Sequence, residues 1–254
     1  MTQLIELSSR IHQNLKVVPS AINEFASKQH VFSLNAVEIA QAATCFPIFL
    51  SRNNINGNLN FSAMTSFLTE QNLFVESNQW LPVFQPSALR TYPLYLMQSN
   101  KADAQFTVGF DPQNTAFSET EGKPLFSAEG VASDHLTVVT KLLQTELDNM
   151  RHSFHLVTKL EELDLLKQID LKVMFENGHV NTIKGLFTID EDQFKMLPAS
   201  TLAELNSAGY LMPIHALLMS IYQLNVLINK HNARPDNLVV KAIKMEVAKD
   251  VAHH

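Results

Sequence analysis

The chain has 254 residues, a formal net charge of −6 and a single cysteine. The acidic balance supplies no clustered positive charge to neutralise phosphates, which argues against a nucleic-acid partner. One cysteine excludes an intramolecular disulfide framework, and the N-terminal residues lack a secretory signal pattern, so we expect a soluble cytoplasmic protein. The length and the 46% hydrophobic content allow one large domain or two small ones.

Short strands and one helix are predicted in the N-terminal half. A helix over residues 35–43 follows a plausible cap at Ser33 or Asn35. Apolar runs bounded by turn-forming residues predict strands over residues 46–50, 61–68, 73–75 and 106–110. This half of the chain therefore has the character of a β-rich segment.

Helical periodicity begins near Leu136, where apolar residues recur three or four positions apart as far as Leu160. Asn177-Gly178 lies between two strand-like runs, residues 171–176 and 180–189, and predicts a β-hairpin. Later signals predict three more helices. The first is a short one opened by an Asp190–Gln193 capping box, and the second covers residues 200–208. The third has Pro213 in its first turn and an apolar face over residues 214–228, and extends up to Asn232 and Pro235.

The apolar stretch over residues 210–228 also has the length of a membrane span. It is interrupted by Pro213, His215, Ser220, Gln223 and Asn225, which are costly in hydrocarbon. A buried core helix is therefore expected there, and no membrane span.

Together these elements predict an α+β fold. We expect a mixed β-rich N-terminal half and a mainly helical C-terminal half with one β-hairpin, packed as a single compact unit. The domain is placed at residues 1–235, with a subdivision near residue 130 as the alternative, and residues 236–254 are treated as a short C-terminal tail.

Familiar catalytic and cofactor motifs are missing from the sequence. The glycines do not have the spacing of a dinucleotide fingerprint or a phosphate-binding loop, and there is no Gly-x-Ser-x-Gly elbow. Cys45 adjoins Phe46 and Pro47, surroundings that leave a thiol inert. His152 and His155 share a predicted helix face but lack a third ligand. We expect no metal and no cofactor.

The most informative segment is residues 79–93, which holds the only tryptophan of the chain. As a binding site, Trp80, Phe84 and Tyr92 would form apolar walls and Arg90 would hold a carboxylate through its planar fork of donors. As a structural element, Trp80 and Tyr92 would fill the junction between sheet and helices while Arg90 pairs with an internal acid such as Glu121.

Several motifs extend this segment into a pattern that covers most of the chain. They are Phe46-Pro47-Ile48-Phe49, Asn72-Leu73-Phe74-Val75, Trp80-x-Pro82-x-Phe84-x-Pro86-x-x-Leu89-Arg90-x-Tyr92-Pro93, Glu121-Gly122-x-Pro124-Leu125-Phe126 and Gly185-Leu186-Phe187-Thr188-Ile189-Asp190-Glu191. The pattern resembles the SapC family of bacterial proteins over residues 11–230. His12 falls where members often carry a histidine, whereas Thr91 and Leu94 replace a common second arginine and a usual phenylalanine.

The resemblance implies no established catalytic role. Its name comes from a gene beside surface-layer protein genes, and relatives are associated with genes for halogenase-like flavoproteins, cupin-like proteins and TonB-dependent receptors. We therefore expect a non-catalytic accessory protein of a bacterial surface-protein, uptake or amino-acid-modification system that binds a small molecule or peptide. The expected ligand-binding residues are Trp80, Phe84, Arg90, Tyr92, Glu121 and His12.

Two alternatives stay open. The first is a protein–protein interaction partner, encoded near a flavin-dependent halogenase-like or TonB-dependent receptor system, that binds through an exposed apolar patch. The second is an enzyme of unknown reaction type that uses His12, Glu38, Arg90 or Glu121 as acid and base.

Overall fold

A computed structural model describes residues 3–53, 57–99 and 105–248 of the chain. Its strands are Ile5–Glu6 (β1), Lys16–Val17 (β2), Val31–Leu34 (β3), Ile48–Arg52 (β4), Leu59–Met64 (β5), Val75–Glu76 (β6), Gln79–Trp80 (β7), Leu94–Gln98 (β8), Phe106–Phe110 (β9), Phe117–Ser118 (β10), Lys123–Pro124 (β11), Leu166–Phe175 (β12), Val180–Ile189 (β13) and Val240–Val247 (β14). Its α-helices are Pro19–Ser27 (α1), Ile39–Ala42 (α2), Ser87–Thr91 (α3), Asp134–Glu162 (α4), Glu191–Lys195 (α5), Ala199–Ser207 (α6), Leu211–Ser220 (α7) and Gln223–Asn232 (α8), and a 3-10 turn spans Ala36–Glu38.

The structure contains both helices and antiparallel sheets, which confirms the predicted α+β class. The finer prediction of a β-rich first half and a mainly helical second half in one compact unit is not confirmed. The longest strands, β12 and β13, lie in the second half, and the chain divides into two compact units. The first unit comprises Met1–Lys28, Val75–Leu81 and Gln85–Asp148, and the second comprises Gln29–Phe74, Pro82–Phe84 and Asn149–His254.

The first unit contains two three-stranded antiparallel sheets, ordered β1-β9-β8 and β10-β2-β11. β9 confirms the strand predicted over residues 106–110. A buried apolar cluster fills this unit and includes Val17, Leu94, Phe110 and Leu125, together with Leu136 from the start of α4. The first repeats of the periodicity that predicted α4 therefore mark side chains that enter this cluster.

The second unit is built on one six-stranded antiparallel sheet in the order β14-β12-β13-β4-β5-β3. The Asn177-Gly178 turn joins β12 to β13 as predicted, although β12 begins at Leu166. Between Ile169 and Leu171 the register with β13 shifts, and Gly185 there adopts a φ of 75°. This left-handed conformation at a bulge favours glycine, because glycine has no Cβ.

Several element boundaries differ from the predictions. The strand predicted over residues 61–68 ends at Met64, and of residues 73–75 only Val75 is in a strand. The helix predicted from Pro213 up to Asn232 is two helices, α7 and α8. The break follows Ser220, whose hydroxyl donates to the Leu217 carbonyl and accepts from the Ile48 amide of β4. A serine that bonds its own helix backbone in this way disturbs the helix.

The stretch Leu211–Asn232 is the one described helical segment with the length and apolar composition of a membrane span, with a mean hydropathy of 1.6 and 33% of its most apolar window buried. Core helices of soluble proteins pass the same test. Leu217, Leu224 and Leu227 in this stretch are buried within the unit.

Residues 240–247, inside the predicted tail, form β14 at one edge of the six-stranded sheet, and residues 249–254 lie outside the described part of the chain. The end of α8 anchors the start of this strand. The Asn232 side chain donates to the Val240 carbonyl at 3.0 Å and accepts from the Val240 amide at 2.8 Å. Farther along the strand, Lys172 and Lys244 flank Glu246 and lower the pKa of its carboxyl group to about 2.

Candidate functional site

Trp80 lies in a two-residue strand of a tight hairpin in the first unit. It pairs with Val75, and the turn residues Ser77 and Asn78 both have positive φ, the geometry of a type I′ turn. The hairpin is tied to α1, because the Asn78 side chain donates to the Ser20 carbonyl and the Asn78 carbonyl accepts from Asn23. Trp80 is half-buried in this arrangement.

Tyr92 of the 79–93 segment is anchored by its ring and by its hydroxyl. Its buried ring stacks on Phe25 of α1, with centroids 3.9 Å apart. Its hydroxyl donates to Asn114 Oδ1 at 3.1 Å and accepts from Asn114 Nδ2 at 2.9 Å. Burial raises the pKa of Tyr92 above its usual value, which the Asn114 hydrogen bond partly offsets. The ring face and the hydroxyl of Tyr92 therefore both make contacts with other residues of the protein.

Arg90 and Glu121 are both exposed, and no ion pair joins them or links either to another described residue. Arg90 lies in the last turn of α3. Glu121 lies in the turn between β10 and β11, where its amide donates to Ser118 Oγ. The neighbouring Gly122 has a φ of 108°, and a Cβ there would lie 2.5 Å from the Val17 carbonyl oxygen. The close approach of the Val17 carbonyl oxygen thus explains the glycine of the Glu121-Gly122 motif.

His12 closes a turn in the first unit. Its Nδ1 accepts from the Ser8 amide at 3.0 Å, and its ring meets Phe110 edge-on at 4.9 Å. Burial lowers the pKa of His12, so the neutral ring that this acceptor role requires is favoured. Its ring is therefore used as a structural hydrogen-bond acceptor.

Phe84 belongs to the second unit, whereas the other five predicted ligand-binding residues belong to the first. Its ring contacts Phe46 edge-on at 6.5 Å. Glu38, considered as an acid or base, instead accepts from the Asn35 amide at 2.9 Å as part of a capping box. The predicted site residues thus lie in separate structural elements, and the described contacts do not bring them together in one site.

The other sequence candidates also have ordinary environments. Cys45 is half-buried, with its sulfur 3.4 Å from the Thr44 hydroxyl. His152 lies 5.4 Å from the Tyr210 ring, centroid to centroid. Among the described residues, no group of three or more His, Cys, Asp or Glu side chains has the arrangement of a metal site.

A cavity on the sheet of the second unit has the geometry of a binding site. Directly opposed residues of neighbouring strands share a face, and here Phe49 opposes Ser62 while Met64 opposes Val31. Ser51 opposes Leu186 on the same face, because it lies two positions after Phe49. The alternate residues Ile48, Leu50, Phe61 and Ala63 point to the other face and are buried.

The cavity on this face, which we call the sheet cavity, has a volume of about 470 Å³. Its apolar lining includes Phe49, Met64, Phe67, Ile183 and Leu186. Its polar lining comprises His30, Ser51, Ser62, Ser66, Thr69, Asn181 and Lys184. Concave sites of this size with apolar walls and few polar groups are typical of small-molecule binding.

The lining hydroxyl and amide groups already make hydrogen bonds. Ser51 Oγ and Ser62 Oγ are 2.9 Å apart, Ser66 donates to Gln71 at 2.7 Å, and Asn181 reaches the Phe67 carbonyl at 3.5 Å. In a pair of serine hydroxyls one proton lies between the oxygens and the other is free to turn outward. The Ser51–Ser62 pair therefore keeps one donor for a ligand or a water molecule.

Two further cavities are less suited to a ligand. One of about 480 Å³ is lined by Lys167, Glu191 and Glu246, each of which is already in an ion pair. Another, of about 380 Å³ in the first unit, is lined mainly by residues of β9 and α4. Among the described contacts, neither lining contains a pair of hydroxyls bonded to each other like Ser51 and Ser62.

Sequence reasoning missed the sheet cavity because its residues lie on separate strands and form no motif. One signal was present. Phe49 and Ser51 alternate on one strand, and Ser62 and Met64 alternate on another, so small hydroxyl residues interrupt otherwise apolar faces. Small side chains beside large ones leave space when the strands pair.

Comparison with known proteins identifies the family. The model of the SapC family matches residues 7–227. No curated protein and no solved structure matches the chain. The match includes the Trp80, Glu121-Gly122 and Gly185 motifs and covers most of the chain, so the chain belongs to the SapC family.

Proposed function

We propose that the protein is a non-catalytic accessory protein that binds a small molecule in the sheet cavity. The observation that carries the proposal is the combination of buried apolar walls with the Ser51–Ser62 hydroxyl pair. Apolar walls supply affinity through burial, and a few fixed polar groups orient the ligand. The proposal retains the expected binding role and moves it away from the Trp80 segment.

The described contacts favour binding over catalysis in this cavity. A serine nucleophile needs a base within hydrogen-bond reach, itself oriented by a third group. The hydroxyls of Ser51 and Ser62 bond to each other, and the Ser66 hydroxyl bonds to Gln71. Among the described contacts none joins these hydroxyls to the His30 ring, which also lines the cavity, and we therefore assign the serines the role of hydrogen-bond donors.

A substitution that fills the sheet cavity tests this proposal. In Ser62→Leu, a larger side chain would occupy the space beside Phe49. Ser207→Leu is the control, because Ser207 is exposed at the end of α6 and does not line the cavity. Both variants would be screened by thermal shift against small amphipathic metabolites. A ligand at 100 times its dissociation constant stabilises the protein by about 2.7 kcal/mol.

The proposal predicts that a ligand stabilises the wild type and Ser207→Leu but fails to stabilise Ser62→Leu. Isothermal titration calorimetry would then give the affinity of each variant. Equal affinity of all three proteins for every ligand found would show that binding occurs elsewhere and would overturn the proposal.

A second candidate function, a protein–protein interaction partner, is favoured by a stripe on α7 and α8. Met212, Met219, Tyr222 and Val226 recur at helical spacing and are 69%, 68%, 75% and 40% exposed. Methionine and tyrosine are enriched at protein interfaces. The expected partners are products of neighbouring genes, such as a halogenase-like flavoprotein or a TonB-dependent receptor system.

A pull-down with those gene products tests this second function. The double variant Met219→Ser/Tyr222→Ser should lose a captured partner that the wild type retains. Met196→Ser is the control, because Met196 is 81% exposed but follows α5, outside the stripe. Capture that is unaffected by the double variant would exclude the stripe as the interface.

A further inference from the structure

The ionisable residues that line the sheet cavity are of one kind. They are His30 and Lys184, both of which are positive when protonated, and no described lining residue is acidic. The chain as a whole has a net charge of −6. The lining therefore differs from the protein as a whole, and the positive charge of Lys184 matches an anionic group on a ligand.

The bulge in β13 brings Lys184 out of the strand alternation. Ile169 opposes Leu186 and Leu171 opposes Ile183, so Lys184 and Gly185 together face the single residue Asp170. Bulges of this kind re-aim side chains near functional sites. Lys184 makes no ion pair with Asp170 or with any other described residue. Its exposed ammonium group is thus available at the rim of the cavity.

We infer that the ligand of the sheet cavity is an amphipathic carboxylate, with an apolar body against Phe49, Met64 and Leu186 and a carboxylate held at the rim by Lys184. This inference rests on the proposed binding function and specifies its ligand class. The buried apolar wall requires an apolar body, and the lysine supplies a charge-assisted hydrogen bond to the head group. A cationic ligand would meet like charge at the same rim.

The volume of the sheet cavity sets the size of the apolar body of the ligand. At roughly 30 Å³ for each water-sized group, about 470 Å³ accommodates on the order of 15 such groups. A medium-chain fatty acid or an aryl-substituted carboxylic acid has this size. Decanoate is a suitable probe because 1-decanol and decylamine share its chain and differ only in the head group.

The test is calorimetric titration of the three probes, below their micelle concentrations, into the wild type and Lys184→Gln. Lys241→Gln is the control, because Lys241 is exposed on β14 and does not line the cavity. We expect decanoate to bind at least tenfold more tightly than 1-decanol or decylamine, and Lys184→Gln to remove most of that preference. Added salt should reduce the preference because it screens an exposed charge.

The outcomes separate the ligand class from the binding function. If 1-decanol binds as tightly as decanoate, or if Lys184→Gln leaves the preference intact, the carboxylate inference is overturned while cavity binding stands. If none of the three probes binds to the wild type, the carboxylate inference also fails. The metabolite screen with Ser62→Leu then decides independently whether the cavity binds any small molecule.

Discussion

The hydroxyl oxygens of Ser51 and Ser62 lie 2.9 Å apart on neighbouring strands, on the sheet face that also carries Phe49 and Met64. This pair places a donor among apolar side chains that are buried within the second unit. Two small residues at these positions also leave the space that larger side chains would fill. The small, hydroxyl-bearing side chains at these two positions therefore provide both the space of the cavity and its polar group.

Substitution of Tyr92 should lower the stability of the protein, whereas substitution of Arg90 should change it little. Tyr92→Phe removes both hydrogen bonds with Asn114 and should lower the free energy of unfolding by about 1 kcal/mol. Arg90→Ala removes an exposed side chain and should change it by less than about 0.5 kcal/mol. Urea denaturation measures both. A large loss in Arg90→Ala would reveal a structural contact of this arginine and contradict the assignment.

Gly122→Ala should destabilise the turn between β10 and β11. The added Cβ would lie 2.5 Å from the Val17 carbonyl oxygen, in a backbone conformation with φ of 108° that alanine rarely adopts. Strain of this kind costs on the order of 1–3 kcal/mol. Gly178→Ala is the comparison, since φ is 84° but no atom lies within 4 Å of the new Cβ. Thermal denaturation should show the larger loss for Gly122→Ala, and equal losses would refute the close approach to Val17.

Asn232→Ala should loosen the edge strand β14. It removes both hydrogen bonds to the backbone of the buried residue Val240 and leaves those groups unpaired, which costs roughly 1–3 kcal/mol. Asn225→Ala, an exposed position of the same helix, is the control. Hydrogen exchange should quicken along residues 240–247 only in Asn232→Ala. Unchanged protection there would show that α8 does not anchor the strand.

His231 should make stability depend on pH. It is fully buried against Phe67 and Phe175, and burial lowers its pKa below 6.5, an effect that the Leu238 carbonyl partly offsets. Between the lowered pKa and 6.5 the unfolded chain binds more protons, so the free energy of unfolding falls as the pH drops below 6.5.

Melting temperatures from pH 7.5 down to pH 5 measure this dependence. His231→Gln should have a shallower decline than the wild type, whereas the exposed His155→Gln should keep the wild-type slope. His12 and His135 also have pKa values lowered by burial, so part of the decline remains in every variant. Parallel curves for His231→Gln and the wild type would exclude His231 as a contributor.

Local signals in the sequence predicted the elements that depend on local chemistry. Asn177-Gly178 marks a turn that needs positive φ, Asp190 caps α5 through the amides of Asp192 and Gln193, and the repeat from Leu136 to Leu160 marks α4. Each of these is set by neighbours a few residues away. The family resemblance was confirmed for the same reason, since its motifs are contiguous.

Elements that depend on distant partners were mostly missed. β14 alternates apolar and charged residues only over residues 243–247 and carries mostly exposed side chains, and it lies in the sheet through its pairing with β12. Ser220, at the break between α7 and α8, hydrogen-bonds the Leu217 carbonyl of its own helix and also the Ile48 amide, a partner 172 positions away. The sheet cavity combines residues of β3, β4, β5 and β13, whose order no local pattern specifies.

The residues 79–93 were conspicuous because tryptophan, tyrosine, proline and arginine are rare and informative. Their described contacts give several of them structural roles, with Tyr92 held between Phe25 and Asn114 and Trp80 paired in a hairpin. Rare residues attract attention whether they bind a ligand or fix a turn. Sequence composition alone does not separate the two, because the difference lies in whether a polar group already has a partner.

Methyl NMR of methionine-labelled protein during titration with decanoate tests the central claim most directly. Met64 lines the sheet cavity, Met245 lines a different cavity, and Met212 and Met219 lie on the exposed helical stripe. Binding in the sheet cavity predicts a saturable shift of the Met64 resonance that Ser62→Leu abolishes, with the other three unchanged. Shifts confined to Met245, Met212 or Met219 would contradict the account.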